Sequence, residues 1–508
     1  MRLQSSLEDR RRERHLVAVR VLLTGALVLF ALSLVVIRLV RLQVDQHEHF
    51  SVLSQDNRVK IQPVPPTRGL IYDAQGVVLA DNHPTFSLDI TVEKVDDLPG
   101  TIEALSAILS VEPKDLARFE RLKRQRVRFQ GVPLRLNLTP EEVARFAIDS
   151  HRFPGVEVTA ELVRTYPMGA LTAHVLGYVG RINAEEMARI DTSDYAGTHF
   201  IGKGGVEKAH EALLHGHVGY RQVEVNAGGR VLRTLEGKAP VPGRDLHLFL
   251  DVALQQAATE ALGDNRGAVV AIDPRTGGVL AMVSKPSFDP NPFVEGIAQA
   301  DYHALLYSPD KPLFDRAARG QYPPGSTIKP FVALGGLASG VVDARKGKYC
   351  PGFFQLPGQS HRYRCWRRGG HGSVALEEAV VQSCDVYFYD LAHTMGIDRL
   401  QRFLGELGFG ARTGIDVAGE LGGLVPSREW KERVRKQPWY PGETLIVGIG
   451  QGAFLATPLQ LAVATATLAN RGHFIRPRVA RAAQIPGSAA QEELPAVTHP
   501  VEVGDPHH

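Results

Sequence analysis

Two short segments carry the residue types that acyl chemistry on a serine needs. The first is Ser326-Thr-Ile-Lys329, which follows Pro323-Pro324-Gly325 and opens the apolar run FVALGGLASG. A serine hydroxyl is a weak nucleophile until a neighbour takes its proton. A lysine three residues on lies one helical turn away on the same face. It can accept that proton once burial, a second cation or a helix N-terminus favours the neutral amine. Backbone N–H groups at the helix start can also stabilise a developing oxyanion. The second segment is Ser383-Cys384-Asp385 within VVQSCDVYFYDLA, which adds a hydroxyl and a carboxylate.

Spacing alone carries little weight. With 20 serines and 14 lysines in 508 residues, about half a Ser-x-x-Lys match arises by chance. The chain holds two, Ser308–Lys311 and Ser326–Lys329. A polar, charged stretch follows Ser308, whereas Ser326 comes after a sharp Pro-Pro-Gly stop and opens a helix that must be interior. Pro330 costs little there, because first-turn N–H groups lack helical partners anyway. The simpler reading of these four residues is that Ser326 caps the helix and Lys329 is solvated. The company they keep overturns it.

A third constellation is made of cysteines. The only three, Cys350, Cys365 and Cys384, fall within 35 residues, with His371 among them. A Cys3His set is a known closed, tetrahedral zinc site, although this spacing matches no short zinc-finger pattern. Such a tie would stabilise the polar, Gly-rich segment YCPGFFQLPGQSHRYRCWRRGGHG. Two alternatives stand beside it: a Cys350–Cys365 disulfide with Cys384 a buried thiol, or three inert thiols. His361, in mid-loop, ranks below His371 as a fourth ligand.

The elements that must position these residues follow from patterning. Apolar residues make up 44% of the chain and charged residues 22%, the balance of a globular protein with a real core. A net charge of +3, spread out, gives no support to nucleic-acid binding. From Val21 to Ile37 the chain runs 17 residues without a charge, about 26 Å as a helix. Arg2, Arg10, Arg11, Arg12, Arg14 and Arg20 precede this run, so the N-terminus belongs inside the cell and the rest outside. A cleaved signal peptide is the alternative, but RLVRLQVDQHEHF offers no small-residue cleavage site.

Beyond the anchor, EGKAPVPGRD near residue 240 reads as a linker. Before it, RGLIYDAQGVVLADNHPTFSLDI predicts a hairpin around Asp-Ala-Gln-Gly. PKDLARFERLKRQR and TPEEVARFAIDS predict helices, the second capped by Thr139. After it, DLHLFLD predicts a strand, VALQQAATEAL a helix and GAVVAIDPRTGGVLAMVS a hairpin, with helices dominating from 326 to about 470. The tail QIPGSAAQEELPAVTHPVEVGDPHH lacks periodicity and reads as loop. No internal repeat is evident.

With Ser326-x-x-Lys329 and Ser383-x-Asp385 in place, the chain resembles the penicillin-binding proteins, in which a third motif, Lys-Thr/Ser-Gly, completes the set. GKGGVEKAHEALLHGHVGYRQVEVNAGGRVLRTL, GAVVAIDPRTGGVLAMVSKPSFDPN, GIGQGAFLATPLQLAVATATLANRG and RGLIYDAQGVVLADN all look like that family. So do MGIDRLQRFLGELGFGARTGIDVAGELGGLVPSREWK and KQPWYPGETLIVGIGQG, which point to its elongation-specific class B members. The resemblance covers the chain from about residue 58 to 475, and no glycosyltransferase domain precedes the pedestal.

The resemblance implies an α+β protein with a transmembrane helix, a mixed α/β pedestal of the dimerisation type, and a transpeptidase domain whose antiparallel sheet is covered by helices. The expected boundaries are a cytoplasmic tail at 1–20, the membrane helix at 21–41, the pedestal at 45–240 and the transpeptidase domain at 245–508. It implies a peptidoglycan D,D-transpeptidase that cross-links stem peptides ending in D-Ala-D-Ala and is acylated by β-lactams. Ser326 would be the nucleophile and Lys329 its base. Ser383 would relay protons to the leaving group, with Asp385 where others have asparagine. No organic cofactor is implied. A SEDS-family glycosyltransferase, the elongation-complex membrane proteins and the bacterial inner membrane are the implied partners, with the catalytic domain in the periplasm.

One departure stands out. Nowhere in the 508 residues is there a Lys-Thr-Gly or Lys-Ser-Gly, and Arg412-Thr413-Gly414 comes too early to replace it. Two readings follow: a longer reading frame that carries the motif beyond His508, or an inactive structural relative within the elongation machinery.

Overall fold

Turn chemistry sets the first strands. Asp73 accepts hydrogen bonds from the N–H groups of Gln75 and Val77 (2.8 and 2.7 Å), closing the Asp-Ala-Gln-Gly turn between Ile71–Tyr72 and the long strand Val78–Thr91. The computed structural model describes residues 4–41, 59–125, 131–225 and 231–501. The expected start of the pedestal (45–58) and the last seven residues of the tail lie outside the described residues.

The chain forms two compact units. One comprises residues 1–64 and 219–239. It holds the helix Gln4–Val40 and a three-stranded antiparallel sheet in the order Val59–Val64, Gly219–Val225, Val231–Lys238. Within that helix, Leu16–Val40 is long and apolar enough to cross a membrane.

The other unit comprises residues 65–218 and 240–508. Its main sheet has seven strands, running Gln491–Glu493, Ala480–Gln484, Asp245–Leu248, Ile71–Tyr72, Val78–Thr91 and Gly131–Leu138, with Val156–Thr165 also paired to Val78–Thr91. Only the Asp245–Leu248 and Ile71–Tyr72 pair is parallel. Thr139 caps the helix Pro140–Asp149 in a reciprocal box with Glu142, as its position predicts. That helix and Pro113–Gln125 pack on Leu88, Ile90, Val132, Leu134 and Val156 to form a separate small core.

The larger core surrounds the Lys329 helix (Lys329–Ala338) and the Asp385 helix (Asp385–Met395). Gly335 and Gly336 let the two helices and their neighbours close. A Cβ at either position would meet Phe403 or Leu391 at 2.8 Å. The predicted hairpin pairs Gly267–Ile272 with Val279–Lys285, and the helices Val252–Ala261 and Pro458–Ala469 pack against it. The tail differs from expectation. Gln491–Glu493 extends the main sheet and Thr498–Pro500 pairs with His473–Ile475. Three-residue strands carry no readable periodicity, so cross-strand pairing, rather than local pattern, fixes them.

Candidate active site

The Pro-Pro-Gly stop does more than redirect the chain. Tyr322 exchanges both backbone hydrogen bonds with Ala456 (2.9 Å each), and the Gly325 N–H bonds to the Gly450 carbonyl at 2.8 Å. Gly450 has φ +72°, and a Cβ there would meet the Gly325 carbonyl oxygen at 2.3 Å, so the approach requires glycine. Gly325–Ile328 forms a 3-10 turn and the α-helix begins at Lys329, three residues after the Ser326 at which the sequence places its opening, with Pro330 in its first turn.

This turn leaves Ser326 exposed and carries Lys329 into the core, where it is 1% exposed. All three ammonium donors are used. Nζ donates to the Ser383 carbonyl and Ser383 Oγ, both at 2.9 Å, and to Asp385 Oδ1 at 2.7 Å. Ser383 Oγ in turn donates to Ser326 Oγ at 2.9 Å. Lys329 therefore reaches Ser326 through Ser383, rather than by the direct helix-face contact expected from i, i+3 spacing. The connection depends on Ser383 having φ +51°, a left-handed conformation that a non-glycine residue adopts only when its surroundings hold it.

Asp385 is held from its other side by a residue the sequence did not single out. Its Oδ2 accepts from the Trp366 backbone N–H at 2.9 Å, and Trp366 Nε1 donates to the carbonyls of Gln382 and Ser383 at 3.1 Å each. The indole is otherwise 65% exposed. Its adjacency to Cys365 was the only available clue. Ser308 and Lys311 share a tight turn elsewhere, closed by the Lys311 N–H on the Ser308 carbonyl at 3.0 Å.

The cysteine cluster lies directly behind this site. Cys350, Cys365, His371 and Cys384 present ligand atoms that all lie within 4.8 Å of one another. His371 Nδ1 is 3.7 Å from Cys350 Sγ and 3.6 Å from Cys365 Sγ. A tetrahedron built on ordinary zinc–sulfur and zinc–nitrogen bonds has edges of about 3.5–3.8 Å, so the donor set fits. The three cysteines are buried and unbridged, which departs from the disulfide alternative. Burial pushes the Cys384 thiol up to about 12, with Cys350 and Cys365 adding to it. Burial and then Arg367 hold the His371 imidazole below its usual value, so it is neutral and able to ligate at pH 7. Its Nε2 is buried without a partner. His361 packs on Tyr363 instead.

Comparison with known proteins agrees with this architecture. Residues 63–248 match the penicillin-binding protein dimerisation domain and residues 267–502 the penicillin-binding protein transpeptidase domain. The chain is 48% identical over 483 residues to the peptidoglycan D,D-transpeptidase MrdA of Acinetobacter baumannii, covering 95% of this chain and 72% of that protein. Among solved structures, the Pseudomonas aeruginosa PBP2 complex with WCK 5153 is 43% identical with a TM-score of 0.65, covering 86% of this chain and 76% of that one. PBP2 of Helicobacter pylori, in complex with MreC, is 31% identical with a TM-score of 0.75, covering 86% and 80%. The chain belongs to the class B penicillin-binding proteins, with a dimerisation domain followed by a transpeptidase domain.

Proposed function

We propose that this chain is a membrane-anchored peptidoglycan D,D-transpeptidase in which Ser326 is the nucleophile and Lys329 its base, acting through Ser383. The observation that carries the reading is Ser383 Oγ, 2.9 Å from both Ser326 Oγ and Lys329 Nζ. Once Lys329 is neutral, rotation of the two hydroxyls reverses the chain. Ser326 then gives its proton to Ser383 as Ser383 gives its own to the amine. Ser326 Oγ attacks the penultimate D-alanine carbonyl of a stem peptide, and the proton returns through Ser383 to the departing D-alanine amine. An amine of a neighbouring stem then attacks the acyl-enzyme and restores the serine. Asp385 holds the amine in place throughout. A β-lactam enters at the first step and leaves a stable acyl-serine.

The test is labelling with fluorescent penicillin followed by peptide mapping. Because the third motif is not within the 508 residues, it is run on this chain and on one extended along its reading frame past His508. An adduct on Ser326 is expected; one on Ser308, or on neither serine in both forms, refutes the assignment. The helix Leu16–Val40 would anchor the protein with its arginine-rich end in the cytoplasm and the catalytic domain in the periplasm. There it would work beside a glycan-polymerising SEDS glycosyltransferase and the other elongation-complex proteins.

We also infer that Cys350, Cys365, His371 and Cys384 hold a structural zinc ion. When bound, zinc would offset the cost of three crowded sulfurs and tie the Trp366 loop to the Ser383 turn. The purified protein should contain one zinc per chain. Chelation or Cys384→Ser should lower both the melting temperature and the acylation rate. Metal analysis that finds no zinc, or a Cys350–Cys365 disulfide by mass spectrometry, removes this assignment.

A further inference from the structure

Two of the three tryptophans in the chain, Trp430 and Trp439, line one cavity of about 530 Å³ together with Tyr363, Tyr440, Gln359 and Glu443. Such a volume suits a ligand rather than a few waters. The aromatic rings are held in place. Trp439 Nε1 donates to Thr444 Oγ1 at 2.8 Å, and Lys431 lies 4.3 Å from the Tyr440 ring centre while its amine bonds Glu443 at 2.6 Å. Lys431 covers one face of Tyr440, yet the residue stays 54% exposed. Fixed aromatic faces open to solvent around a cavity are costly as mere packing and are characteristic of a recognition surface.

We propose that this cavity binds the glycan that bears the stem peptides, through its N-acetylhexosamine rings. A pyranose ring presents a patch of C–H groups on its face and hydroxyls around its edge. The face packs on aromatic rings, while planar polar groups such as Glu443 and Gln359 take the hydroxyl and acetamido hydrogens. Two segments of the cavity wall are joined along the chain to the site already described. Its wall at Gly452 and Ala453 follows directly from Gly450, which holds Gly325 beside Ser326. Tyr363 stands on the strand that leads into Cys365 and Trp366. On this proposal, the carrier sugar of a peptide that lies across Ser326 sits on these rings. The inference rests on the transpeptidase reading above.

Calorimetric titration of the full chain with tetra-N-acetylchitotetraose tests it, with cellotetraose, which lacks acetamido groups, as the comparison. Saturable binding of the chitotetraose and clearly weaker binding of cellotetraose are expected. Tyr440→Ala and Trp430→Ala should each weaken binding by at least about tenfold, or 1.4 kcal/mol, and Tyr440→Phe, which keeps the ring, should retain it. Absence of chitotetraose binding, equal binding of the two sugars, or binding that survives both alanine variants overturns the inference. Penicillin labelling of the same preparation separates the two claims. Protein that is acylated on Ser326 but ignores the sugar refutes the glycan site alone, and protein that binds the sugar but is acylated in neither the 508-residue nor the extended form refutes the reaction alone.

Discussion

Two buried ion clusters in the larger compact unit are built from opposite charges in balance, yet they are finished differently. In the pedestal region, Glu207 accepts from Arg68 Nε at 2.8 Å, Arg164 Nε at 2.7 Å and the Tyr166 hydroxyl at 3.2 Å. Arg68 also forks onto Glu211 at 3.1 and 2.7 Å. Burial alone would lower the Arg68 pKa, but Glu207 and Glu211 outweigh it and hold it above the ordinary value. At the candidate active site, Lys329 and Asp385 form a second charge-balanced pair. Here, however, one end meets an exposed serine, and the connecting residue, Ser383, is in a left-handed conformation. Arginine cannot give up its proton and fixes geometry through its planar fork, which suits a scaffold. Lysine gives up its proton readily, which suits a place where a proton must move. On the proposed mechanism, the difference between the clusters is that between a charge meant to stay and a charge meant to change.

The largest test of that contrast is Glu207→Ala. It strands the buried Arg164 guanidinium and leaves Arg68 on Glu211 alone. Breaking a buried pair from one side costs about 3–5 kcal/mol, so denaturant or thermal unfolding should show a severely destabilised chain. The same cluster predicts an acid limit. Burial alone would raise the Glu207 carboxyl, but Arg164 and then Arg68 outweigh it and hold it below the ordinary 4.5. A carboxyl depressed by folding contributes fully above its unfolded value and loses that contribution as pH falls through the folded value. Melting temperature should therefore drop below pH 4.5, and Glu207→Gln should make that drop shallower. A pH slope identical in the two proteins would show that the cluster is not the source.

Asp385→Asn should act on rate more than on stability, because a buried lysine left without its carboxylate can shed its proton where a guanidinium cannot. The carboxylate accepts from Lys329 on one oxygen and from Trp366 on the other. An amide has one oxygen, so its NH2 group must face one of these donors. Loss of a hydrogen bond to a charged group is worth about 1.5–3 kcal/mol, which corresponds to penicillin acylation about 10–100-fold slower. If acylation were unchanged and only the melting temperature fell, the catalytic pair would be scaffold like the first, and the contrast would fail.

The candidate site residues were legible in the sequence through their context: the Pro-Pro-Gly stop and apolar run around Ser326 and Lys329, and the resemblance that joins them to Ser383 and Asp385. The cysteine cluster was legible because the residue type is rare. What the sequence did not reveal depends on distance or on an unusual conformation. Glu207 lies 139 residues from Arg68, and neither looks unusual alone. The relay through Ser383 needs φ +51°, which no propensity assigns to serine. The strands Gln491–Glu493 and Thr498–Pro500 were read as loop because three residues are too few to show a period, and only their pairing with Ala482–Gln484 and His473–Ile475 makes them strands. Trp366 escaped notice because its tie to Asp385 is made by its backbone N–H, which any residue but proline possesses.

The smallest expected effect is the most discriminating. Trp366→Phe keeps an aromatic ring and the backbone N–H on Asp385, and removes only the Nε1 donor that reaches the Gln382 and Ser383 carbonyls. One neutral hydrogen bond is worth about 0.5–1.5 kcal/mol, and the indole is largely exposed, so stability should scarcely change. The Ser383 carbonyl, however, also accepts from Lys329. Loosening it relaxes the left-handed turn and moves Ser383 Oγ away from its place between serine and lysine. Penicillin acylation should slow by about 2–10-fold, the rate equivalent of that energy, with the loss in the acylation step rather than in initial binding. The pedestal counterpart is Tyr166→Phe, which removes the hydroxyl that donates to Glu207 and accepts from the Val179 N–H. It should lower the melting temperature and leave acylation unaltered. Trp366→Phe should do the reverse. If both variants moved the same observable, the two clusters would not be doing different jobs.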